Sequence, residues 1–380
     1  MVDPQKLTET LKNAAKEMGF GLVGAERAGK PPRHAEYATW LDEGFAGEMH
    51  YLKRREAAYA DPNLVLEGVR SVLMLAAPYG TVKPTAPRAG QGTISRYAWG
   101  SDYHDVVRER LDRLAALHRE LAPHGHARGV VDTAPLLERA FGWAAGLGWT
   151  GRNAALIHPK HGSWFFLAGL LTTEELVYDD TRVEDSCGRC SACMKLCPTG
   201  AIVAPHVVDA RLCISYLTIE LRGPIPVELR AAIGNRVFGC DVCQEVCPWN
   251  RRAAPEGWPE FLPREGMNPI DLASVLEMDE AAWRARFRGM AIWRTKRTGL
   301  LRNAAIVLGN QQCSDAIPSL VRALDDPQPV IRGASAWALG RIGGLAAVDA
   351  LRGRLEREAD VYVRGEVSDA LSAAKASERG

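Results

Sequence analysis

The sequence has no apolar run of the ~18 residues that a membrane span needs. Its longest, around Trp164–Leu171, is far too short. The first residues, Met1-Val2-Asp3-Pro4-Gln5-Lys6, hold no signal-peptide core and no twin-arginine pair, so a cytoplasmic protein with no membrane contact is expected. An excess of one charge is also missing: 47 Lys and Arg face 46 Asp and Glu, a net charge of +1. That balance excludes a uniformly basic nucleic-acid coat and leaves room for a local basic patch. With 47% hydrophobic and 24% charged residues, disorder, collagen and coiled coil are excluded as global descriptions. At ~150 residues per domain, 380 residues suggest two or three domains.

What the chain does have is cysteine, concentrated in one place. Eight of its nine cysteines fall between Cys187 and Cys247. In a reducing compartment this points to metal binding or catalysis rather than to disulfides. Cys187-x2-Cys190-x2-Cys193-x3-Cys197-Pro198 has the spacing of the bacterial ferredoxin run for 4Fe-4S clusters. The short gaps let three thiolates reach three irons of one cubane, while the fourth cysteine turns away to a second cluster. Cys240-x2-Cys243-x3-Cys247-Pro248 repeats the rhythm without its leading cysteine, and Cys213 fills the vacancy. The crossed arrangement of a two-cluster ferredoxin then assigns Cys187, Cys190, Cys193 and Cys247 to one cluster. Cys240, Cys243, Cys213 and Cys197 hold the other. Structural zinc is the competing reading of CxxC pairs, but zinc sites rarely carry the x2, x2, x3-Pro rhythm. Cys313, standing alone, is expected to be a small buried hydrophobe.

Around this stretch the pattern changes twice. Leu7, Leu11, Ala14 and Met18 recur at helical spacing, and Val106, Leu111, Leu114 and Leu117 do so within 105–121. Ser71–Ala77 is a continuous apolar run that suits a strand covered on both faces, and Gly129–Thr133 reads as a short strand with a polar tip. Residues 1–175 are therefore expected to form an α/β domain, and 176–250 a two-cluster ferredoxin-like domain. Residues 251–380 are expected to comprise a Pro- and Gly-rich linker up to 269 and an α-helical, HEAT-like domain. There Ile317–Leu324 and Val330–Ile342 pair across Pro327 and Pro329. One full repeat with partial neighbours needs a body to dock on. Between Arg284 and Arg302 lie seven basic residues and no acid: Arg284, Arg286, Arg288, Arg294, Lys296, Arg297 and Arg302, with Trp293 among them. This reads either as a phosphate-contact surface with a stacking base platform or as a solvated face offset by acids such as Asp325 and Asp326.

Several motifs, in order, resemble a known family. They are Tyr97-Ala98-Trp99-Gly100-x-Asp102-Tyr103-His104, Val131-Asp132-Thr133 and Gly148-x-x-Gly151-x-Asn153. The eight cysteines follow, then Gly234-Asn235-Arg236-x-x-Gly239-Cys240-Asp241-x-Cys243-Gln244, and finally Val330-Ile331-Arg332-Gly333. Together they resemble the epoxyqueuosine reductase family over nearly the whole chain. The resemblance implies two 4Fe-4S clusters and a cobalamin, fed by an external low-potential electron donor. It implies a reaction too: the epoxide of epoxyqueuosine, at the wobble position of tRNA, is reduced to the alkene of queuosine. It further implies an N-terminal cobalamin-binding domain similar to reductive dehalogenases, a C-terminal helical domain that helps to hold the anticodon stem-loop, and a monomer.

Site residues follow from the same resemblance. Asp132 matches the family's general acid, and corrin contacts are expected from Ser95, Asp132, Asn153, Leu156, Leu167, Ser215 and Asp241. Trp293, Arg294, Lys296, Arg297 and Arg302 become expected tRNA contacts. No Asp-x-His-x-x-Gly sequence is present, so the corrinoid is expected base-off, as cob(II)alamin without a protein histidine on cobalt. Apolar neighbours of Asp132 lead us to expect burial and a raised carboxyl pKa; the competing role is a helix N-cap. His104 reads either as a donor or as a structural cap. Three other functions fit part of the pattern: a cobalamin-dependent reductive dehalogenase, a ferredoxin-type electron carrier, and an RNA-binding protein with structural clusters.

Overall fold

The computed structural model describes residues 2–180 and 182–377. They pack as two units, each drawn from separated parts of the chain. One contains the chain up to Lys83, Gly100–Arg211 and Asp241–Leu262; the other contains Pro84–Trp99, Leu212–Cys240 and the chain from Pro263 on. Packing thus groups the chain differently from its order along the sequence.

The first unit is built on an antiparallel sheet. Its strands run in the spatial order Leu22–Arg27, Ser71–Gly80, Phe165–Thr172, Ala127–Val130. Ser71–Gly80 is buried along almost its whole length, as its unbroken apolar run predicts, and alternation assigns each face its own layer. Val72, Met74 and Ala76 share a core with Phe141 of helix Glu138–Ala144, together with Val130, Leu147 and Leu156. On the opposite face, Gly129 lies directly under Leu111 of helix Tyr103–Leu121: a Cβ there would come within 2.7 Å of the Leu111 Cβ. The sheet is therefore covered on both sides, and the end of strand Ala127–Val130 delivers Val131 and Asp132 to its edge.

The expectation of a linker over 251–269 is corrected. Glu256–Gly257 pairs with Tyr79 and Gly80. Trp258 and Phe261 are buried, and Trp258 Nε1 donates to the Gly19 carbonyl at 2.9 Å. Pro and Gly in this segment turn the chain; its aromatic residues anchor it.

The second unit contains a small sheet in the order Arg236–Phe238, Gln91–Ile94, Ile270–Asp271, and helices from Lys296 onward. Ile317–Ala323, Pro329–Ile342, Leu345–Arg357 and Val361–Ser377 reproduce the expected HEAT-like pairing. The array docks as expected of an incomplete solenoid: Glu366 takes a bidentate pair from the buried Arg230 at 2.8 and 2.6 Å. Cys313 is buried, as predicted. Among the described residues no helix is long and apolar enough to cross a membrane.

Candidate active site

Two constellations in the first unit carry chemistry. The first is a cavity of about 210 Å³ lined by Cys187, Cys190, Cys193 and Cys247, with Asn153, Trp249 and Arg252. Local hydrogen bonds shape the cysteine loop. Asp185 accepts from the Cys187 amide at 2.8 Å, Arg152 donates to the Gly188 carbonyl at 2.6 Å, and Trp149 Nε1 points at Cys187 Sγ from 3.5 Å. Burial pushes the Cys193 thiol pKa up, and the charges of Cys187, Cys247 and Cys190 add to it. Three thiols close enough to raise the pKa of a fourth are a costly arrangement unless a cationic core neutralises their thiolates. The cavity is polyatomic in size and its walls match the first set read from the spacing, so the residues fit a 4Fe-4S cluster.

Of the second set, Cys197 and Cys243 lie on this unit and Cys213 and Cys240 on the other. Each has a defined local frame. Asn153 Nδ2 donates to the Cys243 carbonyl at 3.2 Å, and Cys213 is the N-cap of helix Ile214–Ile219. Cys240 follows Gly239, whose φ is +70° and whose amide donates to Thr218 Oγ1 at 3.0 Å. A Cβ on Gly239 would meet the Ser95 Cβ at 2.5 Å, so glycine is required there on two counts.

The second constellation surrounds Asp132. Its backbone has φ 46°, a left-handed conformation that aspartate tolerates better than most residues. Three contacts hold it and its neighbour. The Asp132 amide donates to Glu138 Oε1 at 2.6 Å, Arg55 Nη1 donates to the Thr133 carbonyl at 2.8 Å, and His104 Nε2 bonds Asp132 Oδ2 at 3.0 Å. The other ring nitrogen, His104 Nδ1, bonds Asp102 Oδ1 at 2.8 Å. Asp102 is also the N-cap of helix Tyr103–Leu121 and accepts from the His104 amide. A ring with a carboxylate on each nitrogen is held as the two-donor imidazolium. Burial alone would lower the His104 pKa, but the bonds to Asp102 and Asp132 outweigh it and raise it to about 9. Glu138 is the converse: burial, then the charge of Asp132, push its carboxyl up to about 8.

Two sequence expectations are corrected here. The Asp132 side chain is 59% exposed, not buried among apolar neighbours, because the chain turns outward at Asp132 and leaves Val131 and Leu136 to fill the core. Nor is it a helix cap, since the next helix starts at Glu138 with Leu137 in the capping position. His104 does not cap the helix, since Asp102 does; its ring bridges two carboxylates instead. Asp102-x-His104 at a helix start was the available signal for this bridge; nothing local marked Glu138 or Arg55 as anchors of the loop.

A family model described as "Epoxyqueuosine reductase QueG, DUF1730" matches residues 60–133, one for a "4Fe-4S double cluster binding domain" matches 186–250, and one for "HEAT repeats" matches 296–372. An epoxyqueuosine reductase of Pseudomonas aeruginosa is 40% identical over 350 residues, covering 90% of this chain and 96% of that one. Its Escherichia coli counterpart is 37% identical, covering 90% of each. The chain belongs to the epoxyqueuosine reductase family. Among solved structures, an epoxyqueuosine reductase with an epoxyqueuosine-modified tRNA-Tyr stem loop superposes with a TM-score of 0.91 at 31% identity, over 97% of this chain and 99% of that one. A Bacillus subtilis epoxyqueuosine reductase whose catalytic aspartate loop is swung out of the active site gives a TM-score of 0.89, also at 31% identity and with the same coverage. Membership supplies the second cluster as well, through the double-cluster domain.

The residues expected to contact the corrin are placed as follows. Asn153 is nearly buried and binds Cys243 through its amide. Leu156 is in the core and Leu167 packs against it. Asp241 precedes helix Val242–Glu245 as its N-cap. On the second unit, Ser95 is nearly buried and Ser215 partly so.

The basic stretch divides sharply. Trp293 is 39% exposed and stacks on Trp283 at 4.5 Å. Lys296 is exposed at the start of helix Lys296–Gln311, and Arg294 is half-exposed while pairing with Glu220 at 2.9 Å. Arg297 is not available: its guanidinium bonds the Met278 carbonyl and pairs with Asp326 at 2.5 Å. Arg302 is 1% exposed, with five hydrogen bonds to the Leu217, Leu221 and Gly223 carbonyls and to Asn303. Arg297 and Arg302 therefore leave the set of tRNA contacts.

Proposed function

We propose that the chain reduces the epoxide of epoxyqueuosine, carried at the wobble position of tRNA, to the alkene of queuosine. Two electrons and two protons are consumed and the epoxide oxygen leaves as water. The observation that carries this reading is the anchored, solvent-facing Asp132: a carboxylate presented at a strand end and oriented by His104. The family supports the substrate, since one relative was crystallised with an epoxyqueuosine-modified stem loop. Asp132 is the group that passes a proton to the oxygen, which otherwise leaves badly as an alkoxide.

Electrons arrive one at a time from an external low-potential donor through the two clusters. We include a base-off cobalamin, at rest as cob(II)alamin, as the acceptor of those electrons. On the first unit Asn153, Asp132 and Asp241, with the apolar Leu156 and Leu167, are of the types that suit an apolar ring with peripheral amides; Ser95 and Ser215 are the proposed contacts from the second. Bound there, the corrinoid supplies a low-valent cobalt able to attack or reduce a strained ring. Trp293, Arg294 and Lys296 are the proposed tRNA contacts, with Arg284 and Arg288 exposed beside them. Action on tRNA sets the protein in the cytoplasm, and the reading takes it to work as a monomer, which sedimentation tests.

The deciding experiment is mass spectrometry of tRNA nucleosides from a strain lacking the gene. Epoxyqueuosine should accumulate without queuosine. The wild-type gene should restore queuosine, and the Asp132→Asn gene should not, although the purified variant keeps its iron. Normal queuosine in the deletion strain, with no second reductase present, overturns the reading.

A further inference from the structure

We propose that His104 is the proton store for Asp132: the proton that Asp132 gives to the epoxide oxygen is drawn from the imidazolium, and Asp102 keeps that ring charged and aimed. His104 acts through Asp132 and is a positioning residue in this sense. The inference rests on Asp132 being the proton donor, as proposed above.

Geometry carries it. His104 Nε2 lies 3.0 Å from Asp132 Oδ2 and Nδ1 lies 2.8 Å from Asp102 Oδ1, so both ring protons sit in carboxylate hydrogen bonds. The ring cannot swing away. Tyr103 stacks on it at 4.0 Å, and Phe166 stacks on Tyr103 at 4.2 Å with planes 5° apart. The two carboxylates differ in the way a relay requires. The Asp102 side chain is 21% exposed and tied to the helix start; that of Asp132 is 59% exposed and faces outward. Burial works against the Asp102 carboxylate, but the His104 hydrogen bonds hold its pKa below the ordinary value. Asp102 therefore stays ionised and anchors the charge, while Asp132 passes protons on.

Charged and titratable groups stand beside the array. Glu138 touches it through the Asp132 amide, Tyr59 is coupled to the Asp132 charge, and Arg55 binds the next carbonyl. Glu138, held largely protonated at neutral pH, adds little negative charge. The imidazolium is a proton source in direct hydrogen-bond contact with the Asp132 carboxylate.

The proton count closes. The first proton moves from His104 Nε2 to Asp132 Oδ2 and from Asp132 to the epoxide oxygen as the carbon–oxygen bond breaks. His104, 24% exposed, recovers a proton from solvent and supplies the second by the same route, so the oxygen leaves as water. The two electrons come from the external low-potential donor.

The test uses the enzyme loaded with clusters and cobalamin, a low-potential reductant and epoxyqueuosine-modified tRNA stem loop, and titrates His104 by NMR in the same preparation. In the wild type, turnover should fall as pH rises through about 9, the value at which His104 loses its proton. His104→Gln keeps an amide donor to one of the two carboxylates but cannot ionise; it should lose roughly 100-fold in kcat, bind stem loop normally, and show no alkaline limb. Asp102→Asn should move both the NMR titration and the limb down, toward the ordinary value of ~6.5. Glu138→Gln should leave the limb in place. A His104→Gln enzyme with wild-type turnover and limb overturns the relay, as does an Asp102→Asn variant whose His104 titration shifts while the limb stays. Failure of the wild-type enzyme to convert the stem loop at any pH overturns the functional reading instead.

Discussion

Replacing Arg302 with methionine separates two readings of the basic stretch. By charge it belongs to the tRNA face; by position it is a structural residue. Helix Ile214–Ile219 ends with unsatisfied carbonyls, as every helix does, and three buried side chains satisfy them. Arg302 Nη2 takes the Leu217 carbonyl at 2.7 Å, while Asn303 Nδ2 and Thr295 Oγ1 take that of Thr218 at 2.8 and 3.0 Å. Arg302 Nη1 then holds Leu221 and Gly223, at 2.8 and 2.6 Å. Methionine fills much of the volume but leaves three carbonyls unpaired, each costing about 1–3 kcal/mol. Allowing for relaxation, we expect a loss of about 4 kcal/mol. At an m-value of about 2 kcal/mol/M in urea, the midpoint of the second unit falls by about 2 M. The damage should pass to the cysteine at the start of that helix, Cys213, and iron content should fall with it. Hydrogen exchange across 214–223 reads the local effect, and filter binding reads tRNA affinity of the folded fraction. A variant of wild-type stability and iron content that has lost tRNA affinity refutes the argument, because Arg302 would then be reaching phosphate.

Lys296→Ala should do the reverse: stability and iron unchanged, tRNA binding weaker, and the slope of log affinity against log salt shallower by about 0.7–0.9; an unchanged slope removes Lys296 from the interface. Cys193→Ala should lose one cluster, so that iron per chain drops to about half, and wild-type iron would overturn the ligand set. Glu358 sets an acid limit on the helical array. Burial would raise its carboxyl pKa, but Arg332 and Arg354 bring it down to about 2. A folded pKa below the unfolded one means that its contribution is present above ~4.5 and lost as pH falls toward 2. Melting followed from pH 5 to 2 should therefore show a steeper loss in wild type than in Glu358→Gln, and equal slopes refute the linkage.

Much of this was legible because spacing is local information. The cysteine spacing assigns four thiols to one cluster, and those four line one cavity. The apolar run at Ser71–Ala77 gave a doubly covered strand, and the proline-punctuated helices gave the HEAT-like array. What sequence could not carry was burial of individual polar groups. Asp132 has apolar neighbours along the chain, yet its positive φ turns the side chain outward. Arg302 and Lys296 look alike in a list of basic residues, but they lie six positions apart on one helix, so they face different ways. The segment 251–269 read as a linker because its composition is that of a turn, while its anchors, Trp258 and Phe261, are two residues in nineteen.

The exposed position of Asp132 changes the chemistry expected of it. A carboxylate raised by permanent burial would hold its own proton at all times. One that faces water and bonds an imidazolium has a proton kept one hydrogen bond away. Covering the pair with a substrate removes the water that stabilises its separated charges. Desolvation penalises an ion pair more than the neutral pair formed when the proton crosses to Asp132. Substrate binding and proton delivery are then coupled by the same event. On this argument a small, truncated substrate that leaves Asp132 wet should bind and still turn over slowly. The deficit should appear in kcat rather than KM, and it should shrink as pH falls and solvent protons replace the relay.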